Sequence, residues 1–368
     1  MHTRPALTFF AMIAFASLTS LLPAQEAPSI DRLLNKLPPP EKLAKHSVHS
    51  SLQQNDPAAK DKLLQDVRTA ASRGNFPQAL GAARKLAAKY PNSPGAASLR
   101  GMCAWRMRQY PEAVSAFEHA RSINPKATLP YWGLALVEGA QQHYAGAMTH
   151  LRHLVELDPK SPAAYYAMSD CSLRLGHKQE SVEYAKKATT LGPSEAVYWL
   201  QLAKAEKALG HTDATLNAIS RGAEVSPDSA GLLAIVGFSY INLNRTQEAI
   251  GPLQRAVRLV PNNYLVHAQL GFCQVMNGAV DQGITHLRKA VSINSRYGPA
   301  WEHLGIAYQK QGRHKDAVSS FEKATQLMPT ARLPWQHLAE EYAAVGRPAD
   351  AQRAAARAGR LPATPKKT

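Results

Sequence analysis

Seven prolines in this chain stand 34 residues apart, or twice that: Pro91, Pro125, Pro159, Pro193, Pro227, Pro261 and Pro329, with Ser295 filling the one gap. A fixed period of that size marks stacked helical hairpins, each too small to bury its own apolar face. It also directs the question of function, because a stack offers a long surface rather than a catalytic pocket.

The register can be tested in other columns. Repeats counted from Lys60, Pro94, Thr128, Pro162, Ala196, Ala230, Tyr264, Gly298 and Arg332 place Val67, Gly101, Ala135, Ser169, Ala203, Gly237, Gly271, Gly305 and Ala339 at their eighth positions. Their twentieth positions are Ala79, Ala113, Ala147, Ser181, Thr215, Ala249, Gly283, Ala317 and Ala351. Only Val67 is not small at the eighth position, and no insertion or deletion interrupts the nine repeats. Such columns predict the points where two helices touch.

Each repeat is expected to form two helices of about 12 to 14 residues, the usual length in globular proteins. Proline at position 32 cannot donate the hydrogen bond a continuing helix needs. Ser93, Ser161, Ser229 and Asn263 then stand where a cap is wanted. Pro94 and Pro162 follow two of them in the first turn, where proline is tolerated. Gly74, Gly176, Gly210, Gly278, Gly312 and Gly346 fall at position 15, the natural stop for the first helix.

The eighth repeat carries Trp301, Leu304, Gly305, Tyr308, Ala317, Phe321 and Pro329. By these residues and their spacing the chain resembles the tetratricopeptide repeat family over residues 60–361. The resemblance implies an all-α fold, a right-handed superhelical solenoid of about nine 34-residue helix-turn-helix repeats. The first two repeats depart most, with Asp66 and Arg100 at the seventh position where later repeats have Leu, Met or Val. They are expected either to face one another as a charged pair or, if the first hairpin is shifted, to be solvated.

Outside the repeats, residues 1–24 have the form of an export signal. Arg4 supplies a basic start, Ala6 to Leu22 is mostly apolar, and Leu22-Pro23-Ala24 is a plausible cleavage site. The alternative is an uncleaved membrane anchor. After cleavage no other segment is expected to cross a bilayer. Residues 25–59, with Pro38 to Pro40, read as a largely disordered Pro-rich linker, with a short helix expected at Ile30 to Leu37. Residues 362–368 read as a loose basic tail, and the helix before them, rich in Ala and Arg, as a lid with one wet face. The expected location is therefore periplasmic or extracellular. Cys103, Cys171 and Cys273 share the tenth position of repeats that are not neighbours, so burial without a disulfide is expected.

Net charge is +16. The first two repeats carry about +8, the next three about −2 and the remainder about +9. Export argues against nucleic acid as the partner. An anionic cell-wall polymer or membrane surface, held by the basic ends, is the second reading of function.

The first reading is a non-catalytic scaffold. The resemblance implies that positions 2, 5, 9, 12 and 13 of the first helices face a concave groove. Two apolar clusters occupy them: Met102, Trp105, Trp132 and Leu136, then Phe238, Ile241, Leu265, Phe272, Val275 and Met276. These are the expected anchor pockets for a partner protein or peptide. Asp170, Arg174, Lys204 and Lys207 lie between them. The set of Lys, Asn and Arg by which some family members hold a C-terminal carboxylate is not matched. No phosphate loop, dinucleotide glycine pattern or zinc-spaced Cys pair is present, so no cofactor and no enzymatic activity are expected. His150 and His153 lack a third metal ligand, and the groove residues His303 and His337 are expected to titrate below about pH 6.5. An envelope setting is expected, in which such a scaffold would serve assembly.

Overall fold

The computed structural model describes residues 56–362. The signal, almost all of the linker with its short helix, and the tail beyond Pro362 lie outside the described residues. Among those described, every regular element is a helix, and the helices fall in pairs on the 34-residue register. Two compact blocks divide after Val225, where the sequence register itself runs on unbroken.

The N-terminal block holds α1 (Lys62–Ser72), α2 (Phe76–Lys89), α3 (Pro94–Arg106), α4 (Tyr110–Ile123), α5 (Thr128–Ala140), α6 (Tyr144–Leu157), α7 (Pro162–Arg174), α8 (Lys178–Leu191), α9 (Ala196–Ala208) and α10 (Thr212–Val225). The C-terminal block holds α11 (Ala230–Asn242), α12 (Thr246–Leu259), α13 (Tyr264–Met276), α14 (Val280–Ile293), α15 (Gly298–Lys310), α16 (His314–Leu327), α17 (Arg332–Ala344) and α18 (Pro348–Gly359). Odd-numbered helices are the first of each hairpin. Within each block a helix packs on its hairpin mate and on the next helix in sequence. These are the contacts of an all-α repeat solenoid, and each hairpin depends on its neighbour for burial.

The small columns do what their spacing predicts. A Cβ added to Gly305 would stand 2.7 Å from the ring of Phe321, and one added to Gly101 equally close to Phe117. Both rings are fully buried. Each contributes about 3 kcal/mol by leaving water, and the missing Cβ is what admits the ring.

Position 15 is a left-handed residue in every repeat. The six glycines take φ from 69° to 87°, and Arg108, Gln142 and Asn244 adopt the same geometry at 57°, 65° and 58°. Position 32 is less strict than the proline ladder implies. Ile293 ends α14 with Asn294 as its cap, two residues before Ser295, as Ile123 ends α4 before Asn124 and Pro125.

Several caps form as expected. Ser93 accepts from the backbone N–H of Ala96, Ser229 from Leu232, and Asn263 from Leu265 and Val266. Ser161 makes no such bond. α1 begins two residues later than its counterparts because Asp61 caps it, accepting from Leu63, and also binds Lys89 and Tyr90 of the next turn. Three partners favour the ionised form, and the Asp61 pKa falls to about 2, with Lys89 the largest cause. Of the two arrangements open to Asp66 and Arg100, the mutual charged pair does not form. Arg100 donates to Glu112 of its own hairpin at 2.8 Å, Arg84 reaches the same carboxylate, and Asp66 is exposed. α18 buries only Ala354 and Ala358, leaving Arg353 and Arg357 wet as expected of a lid. The three cysteines are buried and unpaired.

Candidate functional site

Within each block, first helices lying side by side form a wall. Within the N-terminal block α3 packs on α5 and α7 on α9; within the C-terminal block α11, α13, α15 and α17 pack in succession. Residues four and seven apart share one face of a helix, so positions 5, 9 and 12 project together.

One device recurs in five of the nine first helices and is only partly visible in the sequence. The fourth residue of the helix donates a hydrogen bond to the carbonyl six residues earlier, in the turn between repeats. Tyr131 binds Pro125, Trp199 binds Pro193, His267 binds Pro261, Trp301 binds Ser295 and Trp335 binds Pro329, at 2.8 to 3.2 Å. Three residue types with a donor at the tip of a flat ring thus satisfy a carbonyl that the interrupted helix leaves open. A column of mixed Tyr, Trp and His hides this shared role from any search by residue type.

The first predicted cluster is core. Met102, Trp105, Trp132 and Leu136 are all buried in the apolar cluster of the N-terminal block. Adjacent first helices sit close enough for these side chains to interlock, so the expectation of exposed anchors at these four positions is corrected. In the second cluster Phe238, Leu265 and Val275 are likewise buried, Ile241 and Phe272 are half-buried, and Met276 is 49% exposed. What the C-terminal block offers to solvent is therefore Met276 with the edges of Phe272 and Ile241, joined by the half-buried Ile306 at the ninth position of α15.

Between the clusters the wall is polar and closed on itself. Buried Asp170 accepts from Lys204 Nζ at 2.7 Å and from Arg174 Nε at 2.9 Å, and Arg174 also lies over the ring of Tyr144. Burial pushes the Asp170 carboxyl up, but Lys204 and then Arg174 outweigh it and hold it below the usual range. Behind it Ser169 and Ser181 share a 2.9 Å hydrogen bond, and Gln201 donates to Ser169 at 3.0 Å. The polar residues at the touching columns of this hairpin bond to one another rather than to solvent, with Gln201 Oε1 left unpaired.

The C-terminal block contains several buried or half-buried polar groups, some of them without a partner. His303 lies flat on Phe272, ring centres 4.5 Å apart, with Nδ1 sealed from water and unbonded. Burial lowers its pKa to about 4, so it stays neutral where an ordinary histidine titrates. The expectation of a switch near pH 6.5 at His303 is corrected accordingly. His267 and His286 face each other with Nδ1 atoms 3.0 Å apart, and burial lowers both. Glu302, half-buried at the fifth position of α15, has no hydrogen-bond or ion-pair partner among the described residues, and burial raises its pKa. His337 stacks on Phe321, with Glu340 3.7 Å away.

Among the described residues, no group of three or more His, Cys, Asp or Glu side chains is placed to hold a metal, and no helix is long and apolar enough to cross a membrane. A shallow cleft of about 350 Å³ is lined by Glu118, Arg121, Ser122, Pro125, Tyr131 and His153.

Sequence profiles of the tetratricopeptide repeat match residues 64–128, 133–196 and 298–331. No curated protein is significantly similar to the chain. Solved structures that resemble it include the crystal structure of MamA, 22% identical, covering 43% of this chain and 92% of that one at a TM-score of 0.40. YrrB, described as a TPR protein with an unusual peptide-binding site, is 17% identical and covers 50% of this chain and 95% of its own at 0.43. PilW, described as a widely conserved type IV pilus biogenesis factor, is 18% identical and covers 53% and 91% at 0.40. The paired helices, the unbroken 34-residue register and the matches in both blocks agree: the chain is a tetratricopeptide repeat protein.

Proposed function

We propose that this chain is an exported, non-catalytic scaffold that docks partner proteins on the inner wall of its first helices, in the service of envelope assembly. The observation that carries the docking reading is the C-terminal wall, where Met276 stands out beside Phe272 and Ile241 while the rest of the apolar set is buried. An apolar strip on the first-helix wall is what a partner helix or extended segment would cover. Export rests on the form of residues 1–24.

Affinity capture of the processed chain from envelope extract, at low and high salt, tests the docking. Met276→Glu changes an exposed side chain and is expected to abolish retention of the main partner while leaving the melting curve unchanged. Retention that survives Met276→Glu but collapses at high salt would favour the anionic polymer instead. Export is tested separately by the intact mass of the protein recovered from a periplasmic fraction. Loss of the first 24 residues is expected, and a full-length cytosolic product would overturn it.

A further inference from the structure

The feature left over is Glu302. A carboxylate partly removed from water without a cation bears a desolvation cost that nothing in the fold repays. The other charges of the first-helix wall do not share this condition. Asp170 has Lys204 and Arg174, Glu206 has His211 at 2.7 Å, and Glu341 receives Gln309 and has His314 Nδ1 at 2.9 Å. Lys310 lies on the same face of α15, but eight residues on, which is about 12 Å along the helix. On the same wall stand the apolar Ile306, one turn along its own helix, and Phe272 and Met276 on neighbouring α13, while Gln336 and the exposed Glu340 stand on α17 at its other side.

We propose that this part of the wall takes a protein segment carrying one lysine or arginine flanked by apolar side chains. The apolar side chains cover Met276, Phe272 and Ile306, and the cation meets Glu302. The inference rests on the docking reading and narrows it to a basic, apolar partner. Charge complementarity sets the choice. An acidic segment would bring a second carboxylate to one already short of water. A purely apolar segment would strip the remaining water from Glu302 and leave it with no partner at all.

The test uses the full chain and three short labelled peptides of leucine and alanine, identical except for a central Lys, Gln or Glu. The Lys peptide is expected to bind about tenfold more tightly than the Gln peptide, and the Glu peptide more weakly still. Glu302→Gln keeps the shape of the side chain and should bring the Lys and Gln peptides within about twofold of each other, without loss of affinity for the Gln peptide. Glu302→Asp, which keeps the charge, should retain part of the preference. Met276→Ala should weaken all three peptides together. A tenfold Lys preference that survives Glu302→Gln overturns the role of Glu302 while the docking wall stands. If none of the three peptides binds, the docking reading falls and this inference with it.

Discussion

At the ninth positions of α7 and α9 stand Asp170 and Lys204, joined at 2.7 Å. At the ninth positions of α11 and α13 stand Phe238 and Phe272. The backbone register is the same in both blocks, so the difference lies wholly in which side chains fill one column. In the N-terminal block the polar members find each other: Asp170 with two cations, Ser169 with Ser181 and Gln201. In the C-terminal block the ninth-position aromatics pack, and what they leave unmet is an exposed methionine and a lone carboxylate. A repeat scaffold can thus spend the same column on holding itself together or on leaving something for another molecule to complete.

The sharpest way to break this comparison is to remove Asp170. Asp170→Ala leaves Lys204 and Arg174 facing each other on a half-dry surface. Removing one member of a buried ion cluster costs about 3 kcal/mol. Urea denaturation should register that loss, and hydrogen exchange should place it in α7 and α9 while α13 and α15 keep their protection. A loss below about 1 kcal/mol would mean that the cluster is solvated and that the two walls differ less than argued. Phe272→Ala, at a half-buried position, should cost less than Asp170→Ala.

Acid should probe the buried histidines, His303 above all. His303 titrates near 4 in the fold and near 6.5 when unfolded, so the unfolded chain binds more protons throughout that window. Its contribution is therefore intact above about pH 6.5 and is lost as pH falls towards 4, amounting to roughly 3 kcal/mol at the lower end. His267 and His286, both lowered by burial, act in the same direction. Thermal melts from pH 7 to 4 should fall steeply for the native chain. His303→Phe preserves a ring to stack on Phe272 but cannot titrate, and should flatten the acid limb. An unaltered slope in that variant would sink the assignment.

Much of this molecule is legible in its sequence, because a repeat writes each structural demand several times. Small eighth and twentieth positions mark helix contacts, and Gly305 meeting Phe321 at 2.7 Å is such a contact. Burial of the tenth-position cysteines follows from the same register. The wall was harder to read. Positions 5, 9 and 13 can face either solvent or the adjacent first helix, and spacing alone does not say how closely those helices approach. Trp132 at 5% exposure and Met276 at 49% therefore look alike in sequence. Partner choice was illegible for a different reason. Arg100 selects Glu112 rather than Asp66, and Glu302 selects no one, through geometry that a column of letters does not contain.

The smallest expected effect compares the hairpin turns. Position 15 is left-handed in all nine repeats, but the N-terminal block places Arg108 and Gln142 there, while the C-terminal block places glycine in three repeats and Asn244 in the fourth. A side chain with a Cβ is crowded against the following carbonyl in this conformation, at a cost of about 1 kcal/mol, whereas asparagine tolerates it better than most. Arg108→Gly and Gln142→Gly should therefore each raise stability, by about 1 kcal/mol less the greater freedom that glycine gives the unfolded chain. Asn244→Gly should gain little or nothing. The converse change, Gly176→Ala, puts the strain back where only hydrogen stood, with nothing within 4 Å to blame for a clash. Any loss it causes reports backbone conformation alone. If the arginine and glutamine variants fall in stability while Gly176→Ala is neutral, the left-handed turn carries no strain here and the two blocks are equal in this respect.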